Sequence, residues 1–154
     1  MAGARPALRP RIAHALRWRW RVAETIAALV AARFLVRFVP FGGWRRTLGP
    51  MSGGAAPIPL SEPDRQLVRA VARDVARWAP RLPLRLVCLP RAMAARWVLA
   101  RRGIAGRIVI GARRGTAENP VDLHAWLMVG DICVTGDAER RSFEAFARRG
   151  GSAA

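Results

Sequence analysis

The sequence predicts a single α+β domain in which N-terminal helices pack on a small antiparallel sheet. Three observations lead there. Apolar residues recur at helical spacing through the first two thirds of the chain, as in Ile26, Leu29, Val30 and Phe34. The last third carries short strand-like apolar runs that meet at Gly130-Asp131, a two-residue hairpin signal. The length of 154 residues suffices for one domain with a real core and is short for two.

The elements follow in order. The first 23 residues hold six arginines and no acid. Their charge resembles that of a mitochondrial transit peptide, but they lack its serine and carry two prolines. Residues 1–21 are therefore read as a basic, poorly ordered arm, and 22–154 as the domain. A first helix is expected over about Trp20 to Val39, stopped by Pro40 and the Gly42-Gly43 pair. The Gly, Ala and Pro-rich stretch from Pro50 to Pro63 reads as a linker or long loop.

Ser61, with Asp64 three residues on and Pro63 tolerated in the first turn, starts a second helix. Its inner stripe is Leu67, Val71, Val75 and Trp78. Arg65, Arg69, Arg73 and Arg77 form a separate solvated stripe. Pro80 and Pro83 end it. A third helix opens at Cys88, takes Pro90 in its first turn and stops at Gly103. RIVIGAR is a strand, Gly115 to Pro120 a loop, and LHAWLMV and ICVTGD the two arms of the hairpin. Ser142 is placed to cap a short last helix through Arg149.

All 27 basic residues are arginine, against 10 acidic residues, for a net charge of +17. Such a field attracts anionic surfaces. Without an RNP-like aromatic pattern, zinc-finger spacing or P-loop, it does not point to a specific nucleic-acid partner, whereas peripheral membrane association stays open. The most apolar stretch is interrupted by Glu24, Arg33 and Arg37. Only Thr25 to Ala32 is free of charge, far short of the roughly 20 residues a membrane span requires. Two cysteines, no secretory signal and no small-scaffold spacing suggest a reducing cytoplasm.

The chemistry centres on Cys88. Amides of a helix start carry partial positive charge, so a thiolate there is stabilised, and such thiols fall from about 8.5 toward roughly 3.5 to 7.5. Downstream, if Gly130 and Asp131 are the turn, Val129 faces Ile132 and constant-sum pairing sets His124 opposite Asp137. Cross-strand partners share a face, with Cβ atoms about 4.5 to 5.5 Å apart, so the carboxylate can accept from the imidazole. Cys133 pairs with Met128 on the same face but lies roughly 13 Å along the strand from His124, and is read as a packed core residue. Cys88 then attacks a carbonyl, His124 moves the proton, Asp137 fixes the ring, and amides at the helix start form the oxyanion site. No metal or cofactor is called for.

The segments CLPRAMAARWVLARRGIAGRIVIGARR and HAWLMV, with AETIAALVAARFLVRFVPFGGW before them, resemble the transglutaminase-like cysteine proteases of lasso peptide biosynthesis, the C-terminal half of the B protein found as a separate chain. The likeness extends from about Val22 to Asp137. It implies a papain-like or transglutaminase-like fold, and it carries the nucleophile to Cys88, the histidine to His124 and the acid to Asp137. It further implies cleavage of the leader from a ribosomal lasso precursor peptide, a separate leader-recognition protein, and an ATP-dependent lasso cyclase that receives the core peptide. The chain departs from the family pattern at Met128, where an acid is frequent, and no family counterpart is recognised for the basic arm. The rival readings are transamidation or deamidation on the same triad, and a non-enzymatic basic module docking on membrane or nucleic acid.

Overall fold

Beyond Pro10 nothing in the N-terminal segment breaks a helix, and Ala, Arg and Leu favour one. The computed structural model, which describes residues 8–49 and 59–145, accordingly forms α1 from Leu8 to Phe38. The helix starts well ahead of Trp20, so the arm expected to be irregular is helical from Leu8 on. Pro10 falls in the first turn, where its missing N–H is no loss. Pro40 disfavours further helix at its approach, and α2 (Phe41–Trp44) and a 3-10 turn (Arg45–Leu48) follow. Trp44 is buried and its indole donates to the Val39 carbonyl at 2.9 Å. Most of the expected linker, residues 50–58, lies outside the described residues.

Helix α3 (Glu62–Trp78) begins as expected, with Ser61 as its cap: the Ser61 hydroxyl accepts from the Asp64 amide at 3.3 Å. Val68, Val71 and Val75 are buried, whereas Arg69, Arg73 and Arg77 face solvent. Arg65 leaves that solvated stripe to meet Asp131 of the hairpin turn at 3.1 Å.

Helix α4 (Cys88–Ala100) is the centre of the domain and packs against α1, α3 and the sheet. Ala92, Met93, Ala94, Ala95, Val98 and Leu99 are all buried, so the helix is apolar nearly all round, as a core helix must be. Ion pairs tie α1 to its neighbours. Arg21 meets the buried Asp74 of α3 at 2.6 Å, and Glu24 meets Arg102, just past α4, at 2.6 Å.

Strands β1 (Arg107–Arg114), β2 (Val121–Val129), β3 (Ile132–Thr135) and β4 (Glu144–Ala145) form one antiparallel sheet in the order β3-β2-β1-β4. The turn is at Gly130-Asp131, with Val129 opposite Ile132 and Met128 opposite Cys133, in the expected register. Beyond that pair the register shifts by one residue, and Leu127 faces Thr135. The extra residue is a β-bulge. Gly136 then takes φ +77 and turns the chain into α5 (Asp137–Arg140). Asp137 is therefore not a strand residue opposite His124, because the bulge and the left-handed glycine end the ribbon before it. The expected last helix is also corrected: Ser142 lies in a turn and Glu144–Ala145 pair with β1, while residues 146–149 fall outside the described residues.

Candidate active site

Cys88 is the first residue of α4, preceded by the extended Val87 and followed by Pro90 within the first turn. It is half-buried and its thiol is free. His124 lies on β2, only 6% exposed, one strand away from the bulge. The two residues line one cleft of about 380 Å³, between the start of α4, the ends of β1 and β2, and the α5 turn. Leu86, Val87, Leu123 and Phe143 supply its apolar wall, and Arg91, Arg113, Asp122 and Glu139 its charged lining.

The imidazole is held by shape. Trp126, two residues on and hence on the same strand face, stacks on it with ring centroids 5.9 Å apart, and Phe143 stacks at 5.0 Å. Gly111, opposite His124 on β1, leaves room for this arrangement: a Cβ there would meet the Trp126 ring at 2.8 Å. Gly136 does the same at the ring itself, since a Cβ at that position would stand 2.6 Å from Nε2. The Phe143 ring is covered in turn by the Arg113 guanidinium, 4.5 Å from its centroid, and Arg113 is paired with Asp122 at 2.7 Å.

The carboxylates divide differently from the hairpin arithmetic. Glu139 of α5 brings Oε2 to 3.4 Å from His124 Nε2, a distance that becomes an ion pair when the ring is protonated. The buried Nε2 otherwise has no hydrogen-bond partner among the described residues. Asp137 instead accepts from Arg140 at 2.6 Å, and this bond holds its carboxyl below the usual carboxylate range. It also neighbours Cys133. Burial first, and the Asp137 charge second, push the Cys133 thiol up, and its Sγ donates to the Thr135 carbonyl at 3.3 Å. Cys133 is thus half-buried at the bulge and is not a deep core residue.

Of the three expected residues, Cys88 and His124 share the cleft, and Asp137 sits on the adjoining turn with its carboxylate bonded to Arg140. Glu139, Gly136 and Phe143 were not singled out from the sequence. The glycine directly before Asp137 carried the signal, since an isolated Gly near a strand end marks a bulge or a sharp exit. A thiol at a helix start, an imidazole clamped beside it and an acid within reach of its far nitrogen form the arrangement of a nucleophile, a proton carrier and an orienting group. Among the described residues no group of His, Cys, Asp and Glu side chains is gathered to hold a metal ion.

No curated protein and no solved structure gives a significant match. The family described as the transglutaminase-like superfamily matches residues 26–148, from the first turns of the buried part of α1 to just past β4. That span covers α4, the hairpin and α5, and the chain therefore belongs to the transglutaminase-like superfamily.

Proposed function

We propose that this chain is a cysteine peptidase that removes the leader from a ribosomally made lasso precursor peptide, with Cys88 as nucleophile and His124 as proton carrier. The observation that carries it is the shared cleft of a helix-start thiol and a clamped imidazole. In this mechanism the Cys88 thiolate attacks the scissile carbonyl and the peptide nitrogen leaves with a proton from His124. The resulting thioester is then hydrolysed by water, which His124 deprotonates, releasing the carboxylate and free thiol. Amides at the start of α4 are the donors for the oxyanion. The carboxylate on α5 that stabilises the imidazolium is Glu139 by proximity. Asp137 is the rival implied by the family likeness, and it follows Gly136, where an added Cβ would stand 2.6 Å from Nε2.

The lasso assignment rests on the likeness of the CLPRA, HAWLM and N-terminal helix segments. With it come two partners: a small protein that presents the leader, and a cyclase that takes the freed core. The test is mass spectrometry of a lasso precursor incubated with this chain and the recognition protein. Free leader is the expected product, lost in Cys88→Ala. An isopeptide-linked product, or conversion of glutamine to glutamate, would assign the site to acyl transfer other than peptide hydrolysis.

A further inference from the structure

The outer face of α1 is apolar where a soluble helix should be polar. Leu16, Trp20, Val30, Phe34 and Phe38 recur at steps that keep them on one side, and all are exposed, Trp20 by 72% and Phe38 by 65%. Ala23 and Ala27 fill the stripe between them and are exposed too. The opposite side of the helix, with Val22, Thr25, Leu29 and Ala32, is buried against the domain. Helix α1 thus has two apolar faces. From Leu16 to Phe38 the outer one is about 33 Å long at 1.5 Å per residue, and Phe41 prolongs it. Contiguous exposure of this kind marks an interaction surface.

The charges around the stripe say what it meets. Arg17, Arg19 and Arg37 are exposed beside it and Arg33 is half-exposed. The Arg37 guanidinium lies over the Phe38 ring at 5.3 Å, so its stem already covers apolar surface while its charge stays outside. The acid on the described part of α1, Glu24, is turned inward to Arg101 and Arg102. A second copy would bring two such arginine borders together at a net charge of +17 each. A protein partner would need a long concave groove with acidic edges to receive a convex ridge. A bilayer rich in anionic lipid offers an apolar layer and a negative surface together and requires no shape match. No helix among the described residues is long and apolar enough to cross a membrane, so the ridge would lie in the interface.

We propose that the outer ridge of α1 seats this protein on an anionic membrane surface, with Trp20, Phe34 and Phe38 entering the headgroup boundary and the flanking arginines holding lipid phosphates. The test is co-sedimentation of the full chain with vesicles of phosphatidylcholine plus phosphatidylglycerol, beside vesicles of phosphatidylcholine alone. Binding is expected to the first and to be weak with the second. A basic protein adsorbs to anionic vesicles by charge alone, so the deciding variant is Phe34→Ser/Phe38→Ser, which keeps the net charge.

It is expected to weaken binding about tenfold or more, because partial burial of two phenyl groups exceeds the 1.4 kcal/mol that tenfold represents. Both residues are exposed, so folding is not at stake; circular dichroism checks it. Arg69→Gln/Arg73→Gln on α3, which removes as much charge elsewhere, is expected to bind more tightly than Arg33→Gln/Arg37→Gln. Unchanged binding of the phenylalanine variant, or equal loss in the two arginine variants, would reduce the effect to unspecific charge and overturn the proposal. So would sedimentation equilibrium showing a dimer that the phenylalanine variant dissolves, which would make a second copy the occupant.

Discussion

Gly136 presses on His124: a methyl group at residue 136 would stand 2.6 Å from Nε2 and 3.4 Å from Cε1 of the ring. The same glycine holds φ +77, which an L side chain adopts only with strain. It therefore has two duties. It ends the β3 arm, and it leaves the imidazole its space in the cleft that Cys88 also lines.

These duties separate experimentally through Gly103, which has φ +75 and nothing within 4 Å of an added Cβ. Each Gly→Ala exchange is expected to cost about 1–2 kcal/mol of stability from left-handed strain. Only Gly136→Ala is expected to lose activity as well, on the order of 10²-fold in kcat, since a displacement of about 1 Å in a catalytic group has that effect. Thermal melts with single-turnover cleavage check both. Equal activity in the two variants would mean that the ring position does not matter.

The two thiols should react differently. Burial and the neighbouring Asp137 carboxylate raise the Cys133 thiol, so at neutral pH it stays protonated. Its alkylation by iodoacetamide is expected to be slow and to accelerate only above the usual thiol range, near pH 8.5 and beyond. Cys133→Ala should keep precursor cleavage, whereas Cys88→Ala should abolish it with the fold retained by circular dichroism. The reverse outcome would move the nucleophile to β3.

For the orienting acid, Glu139→Gln is expected to lower kcat more than Asp137→Asn. Glutamine removes the charge 3.4 Å from Nε2, and the loss expected is about 10–10³-fold, below the roughly 10⁴ of a buried serine-triad acid because Glu139 is largely exposed. Asp131→Asn should leave turnover unchanged, since Asp131 serves the Arg65 bridge at the far turn. That bridge depresses the Asp131 carboxyl. Its small contribution to stability is therefore present above the unfolded carboxyl pKa of about 3.9 and is lost as pH falls through the lower folded value. A larger defect in Asp137→Asn than in Glu139→Gln would give the role to Asp137, as the family likeness implies.

The helices were legible because their signals are local. Ser61, Pro63, Pro90 and Gly103 each act within a turn, and α3 and α4 begin within a residue of where these signals put them. The Gly130-Asp131 turn was legible for the same reason, as was the register up to Met128 and Cys133. A bulge is different. It depends on how Thr135 and Leu127 meet across the ribbon, where the Leu127 amide donates to the Thr135 hydroxyl at 3.2 Å. No spacing rule contains that contact, and one inserted residue was enough to move Asp137 off the strand and bring Glu139 to the ring. The length of α1 escaped because the six arginines and two prolines before Val22 read as a basic arm, and no capping signal there marks a helix start.

The seat of α1 on α3 can be measured through Arg21 and Asp74. Their side chains meet at 2.6 Å with Asp74 only 9% and Arg21 20% exposed. Removing the cation alone leaves a carboxylate shut away from water, so Arg21→Met is expected to cost about 3 kcal/mol, the lower end for a broken buried pair because Arg21 retains some contact with solvent. Removing both charges is gentler. Arg21→Met/Asp74→Leu replaces the pair by apolar groups and is expected to lie within about 1 kcal/mol of the parent. Urea unfolding of the parent, both singles and the double closes the cycle. A double variant that loses the sum of the two single losses would show that the residues stabilise α1 separately, and that the pairing of Arg21 with Asp74 does not fix the helix on the domain.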